Sequence, residues 1–292
     1  MEYAVHHRTA VVDGLDVFYR EAGDPDAPTL VLLHGFPTSS HMFRRLIPAL
    51  ADRYHVVAPD HIGFGQSAMP ALEHFPYTFD ALTDVTEGLL RQLGVDRFAM
   101  YVQDYGAPIG WRLALRSPDR ITAIVTQNGN GYEEGLVPSF WKDVFAYGEN
   151  PGPDTEGPVR FALTPEGVRW QYVTGVPDPT LVSPDTWTHD LALLARPGND
   201  RIQLKLFRDY LTNIALYPRV HRYFRDSQVP LLAVWGANDE IFGPAGAEAF
   251  RQDLPDAEIR LPGSTATAPR TGQLRPPLPA PVPAGRRSRP RP

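Results

Sequence analysis

Short apolar runs alternate with amphipathic stretches along most of the chain. Runs at residues 16–20, 29–33, 54–58, 98–102, 121–126, 230–235 and 258–261 predict strands. The run at 29–33 is apolar throughout, as expected of a strand buried on both faces. Helical periodicity covers 42–50, then 79–93 up to Gly94, then a stretch from the end of the 98–102 run to about Arg116, ahead of Pro118, and finally 245–252. This alternation predicts an α/β fold with a largely parallel sheet covered on both faces. The rhythm breaks between about 129 and 225, where tryptophans, tyrosines and prolines are scattered among short helical pieces, the best of them at 203–211. A helical insertion within the sheet is the natural reading, and no internal repeat is apparent.

Composition changes this picture mainly at one end. The stretch 262–292 contains nine prolines and six arginines, with no acid and no aromatic residue. Such a segment forms neither a regular helix nor a central strand, and is expected to be a disordered tail. Its basic charge also hides the character of the rest. Seven arginines follow Glu258, and the remainder carries 21 basic and 34 acidic residues, a net of −13. That body repels nucleic acid. Lysine occurs only at Lys142 and Lys205. Cysteine is absent, which excludes disulfides and thiolate metal sites. No leader pattern opens the chain and no run approaches the ~18 apolar residues of a membrane helix, so a cytoplasmic protein without membrane contact is expected.

Three segments carry candidate chemistry. Leu32-Leu33-His34-Gly35-Phe36-Pro37 follows a buried strand; Gly35 permits a tight turn, leaving the N–H of Phe36 to point at an oxyanion. Val102-Gln103-Asp104-Tyr105-Gly106 joins a buried strand to a helix and has the spacing of a nucleophile elbow, with aspartate where serine usually stands. The Tyr105 N–H would be the second oxyanion donor. Alternatively Asp104 only caps the helix, although Gly106 and Gly110, which allow close helix packing, favour the elbow. Trp235-Gly236-Ala237-Asn238-Asp239 places an acid beyond a late strand, where it would orient a histidine or simply form an Asn-Asp turn. Asp60-His61-Ile62-Gly63-Phe64-Gly65-Gln66-Ser67 adds a glycine-rich loop after another strand.

In order and spacing these motifs resemble the α/β-hydrolase family over roughly residues 11–261, and within it the epoxide hydrolase and haloalkane dehalogenase branch. The resemblance implies an eight-stranded, mostly parallel sheet formed by 1–130 and 225–261, with 131–224 as a helical cap over the site. It implies that Asp104, ionised near neutral pH, attacks carbon and forms an ester. A histidine held by Asp239 would then activate water. A small organic molecule is the expected substrate, with neither cofactor nor metal. The order of preference is an epoxide, then an alkyl halide, then a catalytically inactive ligand-binding remnant. His34, Trp141 and Tyr210 are candidate substrate contacts; Tyr132, Tyr147, Tyr172, Tyr217, Trp170 and Trp187 are further cap aromatics that serve equally as core.

The chain departs from the family where the histidine belongs. Its nine histidines are His6, His7, His34, His41, His55, His61, His74, His189 and His221, and none follows Asp239. The family position falls near 263–267. Thr265-Ala266-Thr267, if encoded ACG-GCC-ACN, reads Gly-His two bases in, so a frameshift in GC-rich DNA is the favoured expectation for the tail, and a genuine divergent tail with the histidine truly lost is the alternative. The family's final helix would be lost with the histidine.

Overall fold

The computed structural model describes residues 3–262. Eight strands form one sheet: β1 (His6–Val12), β2 (Leu15–Ala22), β3 (Thr29–Leu33), β4 (His55–Pro59), β5 (Phe98–Gln103), β6 (Ile121–Gln127), β7 (Leu231–Val234) and β8 (Glu258–Arg260). Their spatial order is β1-β2-β4-β3-β5-β6-β7-β8. The β1–β2 and β2–β4 pairs are antiparallel and all later pairs parallel. Seven strands lie where the pattern placed them. The extra one, β1, is mostly exposed, so it has no apolar face to announce it. Its hairpin is nonetheless written in Asp13-Gly14, whose φ values of 49° and 81° fit the twist between two antiparallel strands.

The central strands bury both faces, with side chains alternating between them. Val31, Leu33, Val57, Met100, Val102, Ile124 and Ala233 face one core, against α2 (Phe79–Gln92) and α3 (Gly106–Arg116). Leu30, Leu32, Val56, Ala58, Tyr101, Val125 and Leu232 face the other, against α1 (Leu46–Leu50). The helix expected over 42–50 is in fact a 3₁₀ turn, Ser40–Phe43, followed by α1. The one expected over 245–252 is α10 (Ala245–Ala249) continued as a 3₁₀ turn.

Six α-helices separate β6 from β7: α4 (Pro138–Glu149), α5 (Pro153–Arg160), α6 (Pro165–Val173), α7 (Asp185–Leu194), α8 (Asn199–Asp209) and α9 (Leu211–Ser227). The helix expected at 203–211 is α8, which starts and ends earlier. The longest, α9, escaped the sequence reading because Pro218 lies inside it; that proline is exposed and the helix continues past it. The tail beyond Pro262, and with it the expected loss of a final helix, lies outside the described residues.

Arg112 ties this insertion to the core. The side chain is buried; its Nε donates to Asp80 at 2.7 Å, Nη1 to Asn213 at 2.7 Å and to the Pro108 carbonyl at 3.1 Å, and Nη2 to Thr212 at 3.0 Å. Three helices (α2, α3 and α9) therefore meet on one guanidinium. Asp80 is largely exposed, so the ion pair itself adds only ~0–1 kcal/mol. Most of the effect comes from Asn213, whose buried oxygen has no other donor among the described residues. Arg112→Met should destabilise the fold by about 2–4 kcal/mol in urea titration; a change within ~0.5 kcal/mol, the range of an ordinary surface substitution, would show that the clamp is not structural.

Candidate active site

The parallel register sets β3 and β5 side by side, Leu33 opposite Val102, so the turns that leave them meet. Asp104 sits at φ 48°, a left-handed conformation that costs a non-glycine residue ~1–2 kcal/mol. Its Oδ1 accepts two backbone N–H groups, Phe36 at 2.7 Å and Tyr105 at 2.6 Å. Asp104 is therefore not a cap for α3, which begins without a side-chain cap. Two glycines make the approach possible. A Cβ on Gly35 would strike the Asp104 side chain, and one on Gly106 would strike the Leu33 carbonyl. Gly110 likewise lets α3 settle on Met100 and Val102.

Burial pushes the Asp104 carboxyl up to about 7, against the downward pull of the Phe36 and Tyr105 N–H groups and with a smaller upward push from Asp239. This corrects the expectation of an aspartate fully ionised at neutral pH. Proximity to the helix start and two donors do not outweigh removal from water.

Asp239 lies on the loop after β7 and is held by three donors. Its Oδ1 accepts the N–H groups of Ile241 at 2.7 Å and Phe242 at 2.9 Å, and its Oδ2 accepts Nδ2 of Asn128 at 2.5 Å. Asn128, at φ 45° just past β6, also accepts the Gly236 N–H at 3.1 Å. Sequence reasoning missed Asn128. Its one signal was an asparagine directly after an apolar strand, a residue type that tolerates the left-handed region. Asp104 and Asp239 open on one cavity of about 20 Å³, walled by Phe36, Gln103, Trp170, Thr174, Glu240 and Phe242 among others. This is room for about one water molecule in the conformation described.

The other candidates are arranged differently. His34 is fully buried: its Nδ1 bonds the Gly35 carbonyl at 3.0 Å and its Nε2 accepts the His61 N–H at 3.0 Å. Burial lowers its pKa to about 4, so it is a neutral brace beneath the turn, away from the cavity wall. Trp141 donates its indole N–H to the Ile241 carbonyl at 2.8 Å and packs on Tyr210 with ring centroids 4.4 Å apart. Tyr210 bonds Tyr217, which also receives Nδ2 of Asn130 at 3.2 Å. Tyr132 donates to Asp253 at 2.8 Å, and Tyr172 donates to Asp190. Of these aromatics only Trp170 lines the cavity. His221 bonds the Gly131 carbonyl at 2.8 Å and His189 packs on His41 at 4.1 Å; neither reaches the cavity wall.

With this geometry the chain belongs to the alpha/beta hydrolase fold family, which matches residues 28–266. Among its relatives is an uncharacterized hydrolase of Saccharomyces cerevisiae, 48% identical over 256 residues, covering 87% of this chain and 88% of the relative. Shorter stretches resemble epoxide hydrolase A of Mycobacterium tuberculosis (37% identical, 49% of this chain and 44% of the relative) and a haloalkane dehalogenase of Bradyrhizobium diazoefficiens (38% identical, 40% and 37%). The haloalkane dehalogenase DbeA of Bradyrhizobium elkani shares the fold, with a TM-score of 0.74 over 91% of this chain and 92% of that one, at 24% identity. Among the described residues no helix is long and apolar enough to cross a membrane.

The raised pKa of Asp104 has a thermodynamic consequence. An acid that binds its proton more tightly folded than unfolded opposes folding once the unfolded carboxyl ionises, above about pH 4. The opposition grows until the folded group ionises near pH 7 and is constant beyond. A rise from 3.8 to about 7 corresponds to ~4 kcal/mol, and partial contact with solvent reduces this to about 1–3 kcal/mol. Asp104→Asn should therefore stabilise the chain by about 1–3 kcal/mol more at pH 8 than at pH 4 by urea unfolding. An equal effect at both would mean that Asp104 titrates as an ordinary carboxylate.

Proposed function

We propose that the chain is a hydrolase that forms an ester between Asp104 and a carbon of a small organic electrophile. One observation carries this reading: Oδ1 of Asp104 is cradled by two backbone N–H groups, while Oδ2 has no hydrogen bond among the described residues. Oδ2 is then the attacking oxygen. It forms a C–O bond as the leaving group departs with its electron pair, or as an epoxide C–O bond opens. Oδ1 becomes the ester carbonyl oxygen, and the same two N–H groups would steady the oxyanion when water adds. The helical insertion, roughly 131–224, acts as the cap and supplies Trp170 to the wall.

Both relatives' chemistries fit this step. An epoxide, the substrate class the motifs favoured, needs an acid to protonate its departing oxygen. No tyrosine lines the described cavity. An alkyl halide leaves as an anion without protonation, and the Trp170 indole, unpaired among the described residues, could face it. That contrast supports the dehalogenase-like reading as the second one.

Hydrolysis of the ester requires a positioned base, worth ~10²–10⁴-fold in rate. No histidine lines the described cavity and none follows Asp239 in the sequence. The two half-reactions should uncouple. Incubation with a reactive epoxide or alkyl bromide should add one substrate-derived mass per chain, turnover should stall, and Asp104→Asn should abolish the adduct. Labelling should accelerate as pH rises through about 7, because the carboxylate is the nucleophile. Sustained turnover would require a base elsewhere in the chain, and absence of any adduct at Asp104 would leave only the ligand-binding remnant.

A further inference from the structure

The described cavity over Asp104, about 20 Å³, has room for about one water molecule, so anything larger reaches Asp104 only when part of the wall moves. Helix α6 supplies Trp170 and Gln171 to that wall, and Thr174 follows directly after it. Tyr172 of the same helix donates to the buried Asp190 of α7, so the two helices are joined. Beside Asp190 is His189, whose ring lies on that of His41 with centroids 4.1 Å apart and planes 30° apart. His41 belongs to the Ser40–Phe43 turn of the core, a few residues past the Phe36 donor. Neither imidazole makes a hydrogen bond among the described residues. The chain just past α7 is tied differently: Arg196 and Asn199 both donate to the Gly63 carbonyl, at 3.0 Å and 2.7 Å. Helix α7 thus has a hydrogen-bonded anchor beyond one end and, near its middle, a contact between two titratable rings.

We infer that the His41–His189 contact is an acid-released latch: protonation of the two rings frees α6 and α7 to swing from the core about the Gly63 anchor and open the way to Asp104. The charges around the rings favour this. Arg20 of β2 donates Nε to Ser40 at 3.0 Å, and Arg44 donates Nη1 to the His41 carbonyl at 3.1 Å, so two guanidinium groups already stand beside the pair. Asp60, just past β4, is an acid facing His189, but its oxygens accept the N–H groups of Ser40 and Gln66, and burial raises its own pKa, so acid weakens its charge. Burial, then His189, Arg44 and Arg20, lower the His41 pKa to about 4, and burial chiefly lowers that of His189. A histidine released into water takes its proton near ~6.5. The open form therefore binds protons that the closed form refuses. Closure is fully favoured above about pH 6.5 and weakens as pH falls from there toward 4. Burial raises the Asp190 pKa to about 7, which would oppose opening in acid if Asp190 became exposed. Because α6 and α7 move as one, Asp190 stays against Tyr172 and drops out of the balance.

Amide hydrogen exchange of the full chain, read by mass spectrometry at about pH 7.5 and about pH 5 with labelling times scaled for the intrinsic rate, tests the latch. Peptides from α6 and α7 should lose protection by about tenfold or more at the lower pH, while those from α3 keep theirs. His41→Phe combined with His189→Phe leaves two rings in contact without a titratable group, and should remove the difference. His189→Gln, a smaller change that is less demanding of the fold, should reduce it. Equal protection of α6 and α7 at both pH values, an equal loss in α3, or a pH response unchanged in these variants would overturn the latch. The readout is opening rather than chemistry, so its failure is distinct from failure of the hydrolase reading, which the Asp104 adduct decides.

Discussion

The contact between two turns, where Phe36 and Tyr105 both donate to one oxygen of Asp104, organises the site. It depends on parallel pairing of β3 with β5, which brings the strand ends level, and on Gly35 and Gly106, which leave no Cβ in the gap. Asp104 accepts a left-handed backbone to reach this position. The same arrangement that supplies two donors also removes the carboxyl from water, and desolvation is the larger effect. The site is therefore a compromise: strain and burial oppose stability, and the surrounding sheet, buried on both faces, is what tolerates them.

Around that contact the second acid is held rigidly. Asn128, itself in a left-handed turn, bridges Gly236 to Asp239, while two backbone N–H groups fix the other carboxylate oxygen. Such a carboxylate is prepared to orient a partner, and in the proposed cycle that partner would be a base. In the proposed cycle Oδ2 faces a cavity walled by Phe36, Trp170 and Phe242 among others.

Much of this was legible in the sequence because the central strands, buried on both faces, are continuous apolar runs, and because Gly35, Asp104 and Gly106 mark their turns by residue type. What was hidden depends on tertiary context. β1 is an exposed edge and carries no apolar signature. Pro218 concealed α9 because its exposed position permits a proline that sequence rules treat as a break. Among the aromatics, residue type alone does not separate Trp170 on the cavity wall from Trp141 and Tyr210, whose polar atoms are already engaged by Ile241 and Tyr217. The ionisation of Asp104 is also set by packing, which no motif reports.

The most direct test of the central claim is a crystal structure of the chain after exposure to an alkyl bromide. The account predicts continuous density from Oδ2 of Asp104 to the substrate carbon, with Oδ1 still within hydrogen-bond reach of the Phe36 and Tyr105 N–H groups. An unmodified Asp104 beside released alcohol, or an adduct on another residue, would contradict it.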